Sequence, residues 1–250
     1  MGDLVVLAAA LGAVLLFVRG WGRLRGRRPG SDAGWDRAAL FSAGVLAGAL
    51  ALLTLDGPAA DRASAHMLQH VLVGDIAPAL LLVALRGRLF AAVVPRAIRR
   101  LAGSRPARAL LRPLPSLAAW AGLLWVWHVP PIYDAALVHE PLHLAEHASF
   151  LLGGLLLWNL LIRPSARRGL PLVPALACAL AAMVASQLLV AVLVLSYRPL
   201  YAYGSAPDQS LAGLIMTLSQ VATLGTYTFV RLRAHFRGPY PVASGHPLRI

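Results

Sequence analysis

Two histidines four residues apart open the stretch His66-Met67-Leu68-Gln69-His70, and the spacing returns in His143-Leu144-Ala145-Glu146-His147. On an α-helix, residues at i and i+4 share one face, one turn apart. Each pair can therefore aim two imidazoles at one point. Neutral imidazoles converging from neighbouring helices suit copper, zinc, iron or haem iron. His128 stands alone at the end of another apolar run. A metal or cofactor site is expected from His66, His70, His128, His143 and His147. At least three of their rings are expected in one cavity, near the membrane surface and outside any packed core. The alternative is that each ring sits among lipid headgroups and bonds water, the ordinary fate of a lone His128.

Other residues surround that expectation. Gln69 and Glu146 hold equivalent places, three after the first histidine and one before the second. Both are expected behind the ligands, orienting an imidazole; Glu146 could equally ligate or act as an acid–base group. Met67 and Met216 offer thioethers suited to Cu(I), although helix packing is the commoner use of methionine. Asp208 opens the last apolar run, either as an N-cap or as a further wall of the site near its rim. Asp75 follows His66 by nine residues. That spacing turns it to the opposite side of the helix, so it is expected to point elsewhere, toward another helix near Gly74 and Pro78. His143–His147 also fits the H-x-x-E-H pattern of inverted zinc peptidases. Those enzymes use a further downstream glutamate, and none follows Glu146 here.

The elements that must position these residues are membrane helices. Of 250 residues, 58% are hydrophobic and 13% are charged, against about a quarter charged in soluble domains. Mean hydropathy is +0.68. Apolar runs approaching twenty residues indicate a polytopic membrane protein. We read an all-α bundle of seven transmembrane helices, one domain over 1–250. The spans are about 4–18, 38–55, 64–85, 114–128, 141–162, 170–195 and 210–230, with a tail at 231–250. The formal net charge is +13, carried by arginine with no lysine. The arginines cluster between apolar runs, which argues for membrane loops and against a nucleic-acid partner. They fill alternate loops, around 19–37, 86–112, 163–168 and 231–249. The positive-inside rule then predicts an outside N-terminus and a cytoplasmic C-terminus. Part of 86–112 is expected as an amphipathic helix on the cytoplasmic surface. On that topology all the histidines except His235 and His246 reach the outer face, and spans three, four and five are expected to be mutual neighbours. The single Cys178 excludes an internal disulfide.

Four stretches together resemble the caa(3)-type cytochrome c oxidase assembly factor family (CtaG-like). They are Asp61 with His66-Met67-x-Gln69-His70; Trp127-His128-x-Pro130-x-x-Tyr133-Asp134-Ala135-Ala136-Leu137; His143-x-x-Glu146-His147-x-x-Phe150; and Asp208-Gln209-x-x-Ala212-Gly213-x-Ile215-Met216. The resemblance implies a multi-pass plasma-membrane protein needed to form active oxidase. It implies a non-enzymatic role in copper supply, with a metal site on the extracytoplasmic side. Its partners would be cytochrome c oxidase subunits or other copper-handling proteins. Two alternatives stand beside it. One is an intramembrane zinc hydrolase, needing an open coordination position and a polarised water. The other is a haem-binding membrane protein with axial histidines from two helices.

Overall fold

The computed structural model describes residues 2–27, 33–165 and 169–237. Among them the chain is helical, with no strand. Six helices are long and apolar enough to cross a membrane. In chain order the helices are α1 (Gly2–Arg27), α2 (Trp35–Thr54), α3 (Asp56–Asp61), α4 (Ala63–Ala84), α5 (Arg88–Val93), α6 (Arg96–Ala102), α7 (Arg105–Leu110), α8 (Pro113–Trp127), α9 (Pro130–Val138), α10 (Glu140–Ile162), α11 (Leu172–Leu195) and α12 (Ala206–Phe236). Large apolar side chains such as Leu11, Leu152, Leu180 and Leu188 lie exposed. That outer surface suits lipid and would be costly in water.

Several bounds differ from the sequence expectation. Helix α1 runs well past residue 18, because its arginines are good helix formers and no proline intervenes. Helix α12 runs past residue 230 to Phe236 for the same reason. Most of the expected tail, with His246, lies outside the described residues, as do Arg28, Arg167 and Arg168. The basic segment 86–112 forms three short helices, α5 to α7, with no single long amphipathic one. Helix α8 has 15 residues, about 22 Å of rise against a hydrocarbon core of about 30 Å.

Helix α4 is the hub. It packs on α2, α10 and α12, while α8 packs on α10 and α11. The expected three-way neighbourhood of 64–85, 114–128 and 141–162 is thus corrected. Helix α10 sits between the other two, and α12 takes the third side of α4.

The sequence of α4 explains its shape. Pro78 has no N–H for the Gly74 carbonyl, and its ring would strike that carbonyl in a regular helix. Leu72–Ile76 relaxes into a π-turn, which relieves the conflict. The Gly74 carbonyl then faces Gly154 of α10, where any side-chain carbon would collide with it and with Pro78. Small residues at such a crossing let two membrane helices meet backbone to backbone. This contact fixes the register of α4 against α10 and hence of both histidine pairs. A second π-turn, Val221–Gly225, interrupts α12.

Candidate metal centre

Each histidine pair does share a helix face. The His66 and His70 rings stand 4.1 Å apart between centroids, and those of His143 and His147 stand 4.3 Å apart. The Gly74–Gly154 crossing brings the two pairs together. His66 lies 5.3 Å from His143 and 6.1 Å from His147, and His70 lies 5.5 Å from His147. His128, just past the end of α8, lies 6.1 Å from His70. Its Nδ1 is 2.7 Å from the Leu124 carbonyl and its Nε2 has no hydrogen bond, but His128 belongs to neither of the two close donor groups, His66–His70–His147 and His66–His143–Glu146.

Glu146 stands between the rings, where it could ligate, and not behind them, the two places the sequence left open for it. Its Oε2 is 3.4 Å from His66 Nε2, and its Oε1 is 3.4 Å from His70 Nε2. Those separations exceed a normal hydrogen bond. His66, Gln69 and Glu146 are sealed from solvent, and His70 is 3% exposed. His66 and His70 therefore belong to the packed core, which corrects the expectation that they lie outside it. The reason is cover from above. Tyr133 of α9 lies 4.9 Å from the His66 ring and stacks on Tyr201 at 3.8 Å. Burial pushes both phenols up, so both stay neutral. Phe150 stacks on His70 from below at 4.2 Å.

The other expected neighbours are placed differently. Gln69 turns away, donating to Asp56 and to the Ala51 carbonyl at 3.3 Å. It braces α4 against α2 and the start of α3, and makes no hydrogen bond to an imidazole. Asp208 is not the N-cap of α12; Ser205 is. Asp208 instead accepts from the Ser64 hydroxyl and from the Ser64 N–H at 3.3 Å. It caps the first turn of α4 from another helix, beside the histidine cluster. Met67 and Met216 are buried in the apolar core that also holds Phe150 and Tyr133. Asp75 points away from the cluster toward α10 and α12, as its spacing predicts. His139 starts α10 and stays exposed.

Tyr201 gives no sequence signal, since it lies in an irregular segment between two helices. That segment is held by Gln209, which accepts from Leu200 N–H and donates to the Leu193 carbonyl, each at 2.8 Å. Asp134 accepts from Ala202 N–H at 3.0 Å. Tyr201 donates to the His128 carbonyl at 3.3 Å. The segment is thereby pinned as a roof over the histidines.

The donor set is left without partners. Both ring nitrogens of His66 and His70 lack a hydrogen bond, as do both oxygens of Glu146. One nitrogen each of His128, His143 and His147 is in the same state. Buried polar groups normally find partners, so this concentration fits a cation. Among the described residues two donor groups qualify, His66–His70–His147 and His66–His143–Glu146, each with atoms within 4.8 Å of one another. Ligands bonded at about 2.0–2.1 Å in a tetrahedron stand roughly 3.3 Å apart, close to the 3.4 Å that separates Glu146 from the His66 and His70 nitrogens.

A family model described as cytochrome c oxidase caa3 assembly factor (Caa3_CtaG) matches residues 15–237. No curated protein and no solved structure was found to match the chain.

Proposed function

We propose, since the chain belongs to the cytochrome c oxidase caa3 assembly factor family, that it serves assembly of the oxidase by holding a copper ion in the histidine–glutamate cluster. The carrying observation is the set of buried, unpartnered donors on His66, His70, His143, Glu146 and His147. A copper ion there would supply the cargo for an oxidase metal centre; the chain supplies its shape, charge and shielding. Helices α4 and α10 position the imidazoles, and Glu146 offsets positive charge in a region where charge is expensive. Tyr133 and Tyr201 limit access from one side. The role is non-enzymatic, and the partners are oxidase subunits or other copper-handling proteins.

The arginine alternation supports seven spans in the plasma membrane, with α8 as the short fourth. On that topology the N-terminus is outside, the C-terminus is cytoplasmic and the cluster is on the extracytoplasmic side. A zinc-dependent hydrolase is the second reading. It is favoured by one observation, the carboxylate of Glu146 within the donor set, since thiolate and thioether ligands are what would select Cu(I). Haem is a third reading, through one axial imidazole from each of two helices. Metal analysis of the purified protein separates these readings. Copper supports the first, tightly held zinc the second, and a haem absorption band would replace both.

A further inference from the structure

Asp75 lies in the π-turn of α4, clear of the histidine cluster, and is held from two other helices. Trp158 Nε1 of α10 donates to Oδ1 at 2.9 Å. Ser219 Oγ and Thr223 Oγ1 of α12 stand 2.6 and 2.9 Å from Oδ2. Thr223 belongs to the π-turn of α12, so the two irregular turns meet at this carboxyl group. An acid in a membrane helix is expensive and usually functional. π-turns often mark functional positions.

A proton count makes the arrangement informative. Thr223 Oγ1 is also 2.9 Å from the Ser219 carbonyl. A hydroxyl has one proton to donate. Thr223 can donate to an ionised Asp75 and leave the Ser219 carbonyl. Alternatively, a protonated Asp75 donates to Thr223, which then donates to that carbonyl. One set of heavy-atom positions serves both states.

Asp75 also meets a space that can hold water. It borders the cavity of about 50 Å³ whose wall includes His70 and His128. One water needs about 10–15 Å³ by a similar measure. Ser186 Oγ, buried and without a partner, lines the same cavity and fits a water there. The titratable groups on this wall besides Asp75 are His70 and His128. Helices α8, α10, α11 and α12 add Trp120, Ser149, Ser186 and Gln220, none of them ionisable. From α2, Arg37 is turned to the Val83 and Ala84 carbonyls at the other end of α4.

We propose that Asp75 is a proton-binding residue that exchanges its proton with water in this cavity. The carboxylate takes one proton from a hydronium ion and releases one water, while the Thr223 hydroxyl turns to Ser219. The reverse step restores the charge.

The test uses the metal-free full-length protein in detergent, which keeps it independent of the copper reading. Infrared difference spectra between acid and alkaline pH are recorded in H2O and D2O. The expected result is a carbonyl band of a buried protonated carboxyl that shifts in D2O and is lost in Asp75→Asn. Thr223→Val, which removes the switching hydroxyl, should move the pH midpoint of that band. A wild-type protein without the band, or a band surviving in Asp75→Asn, overturns the proposal. Should Asp75→Asn not fold, the midpoint in Thr223→Val decides, and an unmoved midpoint overturns it.

Discussion

His66 Nε2 and Glu146 Oε2 face each other 3.4 Å apart, each wholly shielded from solvent. They come from helices that approach most closely where Gly154 admits the Gly74 carbonyl. A carboxylate at that place is both a donor atom and a counter-charge. Glu146→Gln keeps the shape and removes the charge. It should weaken metal binding by at least the tenfold to hundredfold that loss of an orienting partner costs a metal site. Competition with a chelator of known affinity measures this, and unaltered binding would show that Glu146 is no ligand.

The helix crossing can be tested without metal. Gly154→Ala places a carbon against the Gly74 backbone and the Pro78 ring. Overpacking of this kind costs about 1–3 kcal/mol. Gly122→Ala is the control, since nothing lies within 4 Å of an added carbon there. Thermal unfolding in detergent should be lowered by the first substitution and not by the second.

Asp208 ties α12 to the first turn of α4 through Ser64. Ser64→Ala removes the hydroxyl and leaves the backbone contact. The expected loss is about 1.5–3 kcal/mol, the net worth of one hydrogen bond to a carboxylate. A drop in the unfolding midpoint checks it. A larger effect on metal binding than on stability would move Asp208 into the site itself.

The histidine pairs were legible because i, i+4 spacing is local and helix geometry is rigid. The direction of Asp75 was legible for the same reason. What the spacing could not carry was the depth of His66 and His70, since their roof of Tyr133 and Tyr201 comes from distant segments. Nor could it carry the turn of Gln69 toward Asp56, because that depends on where α3 lies. For Glu146 the sequence left open a supporting place like that of Gln69 and a place among the ligands; the packing of α10 on α4 puts it between the rings. Helix α8 covers nearly the residues expected of it, because its opening prolines and His128 mark both ends in the sequence.

Orientation is a separate prediction. Reporter fusions after Phe236 should be active only with cytoplasmic reporters, as the arginine alternation requires. A tail found outside would place the histidine cluster on the cytoplasmic side and remove the route to an extracytoplasmic oxidase domain.

The most direct test is the metal content of the full-length protein, purified after growth with copper and washed free of loosely held ions. The variant His66→Asn with His70→Asn keeps polar side chains in the core, and its unfolding is followed in parallel. Stoichiometric copper is expected in the native protein and little in the folded double variant. Equal metal in both proteins, or none in the native one, would contradict that expectation.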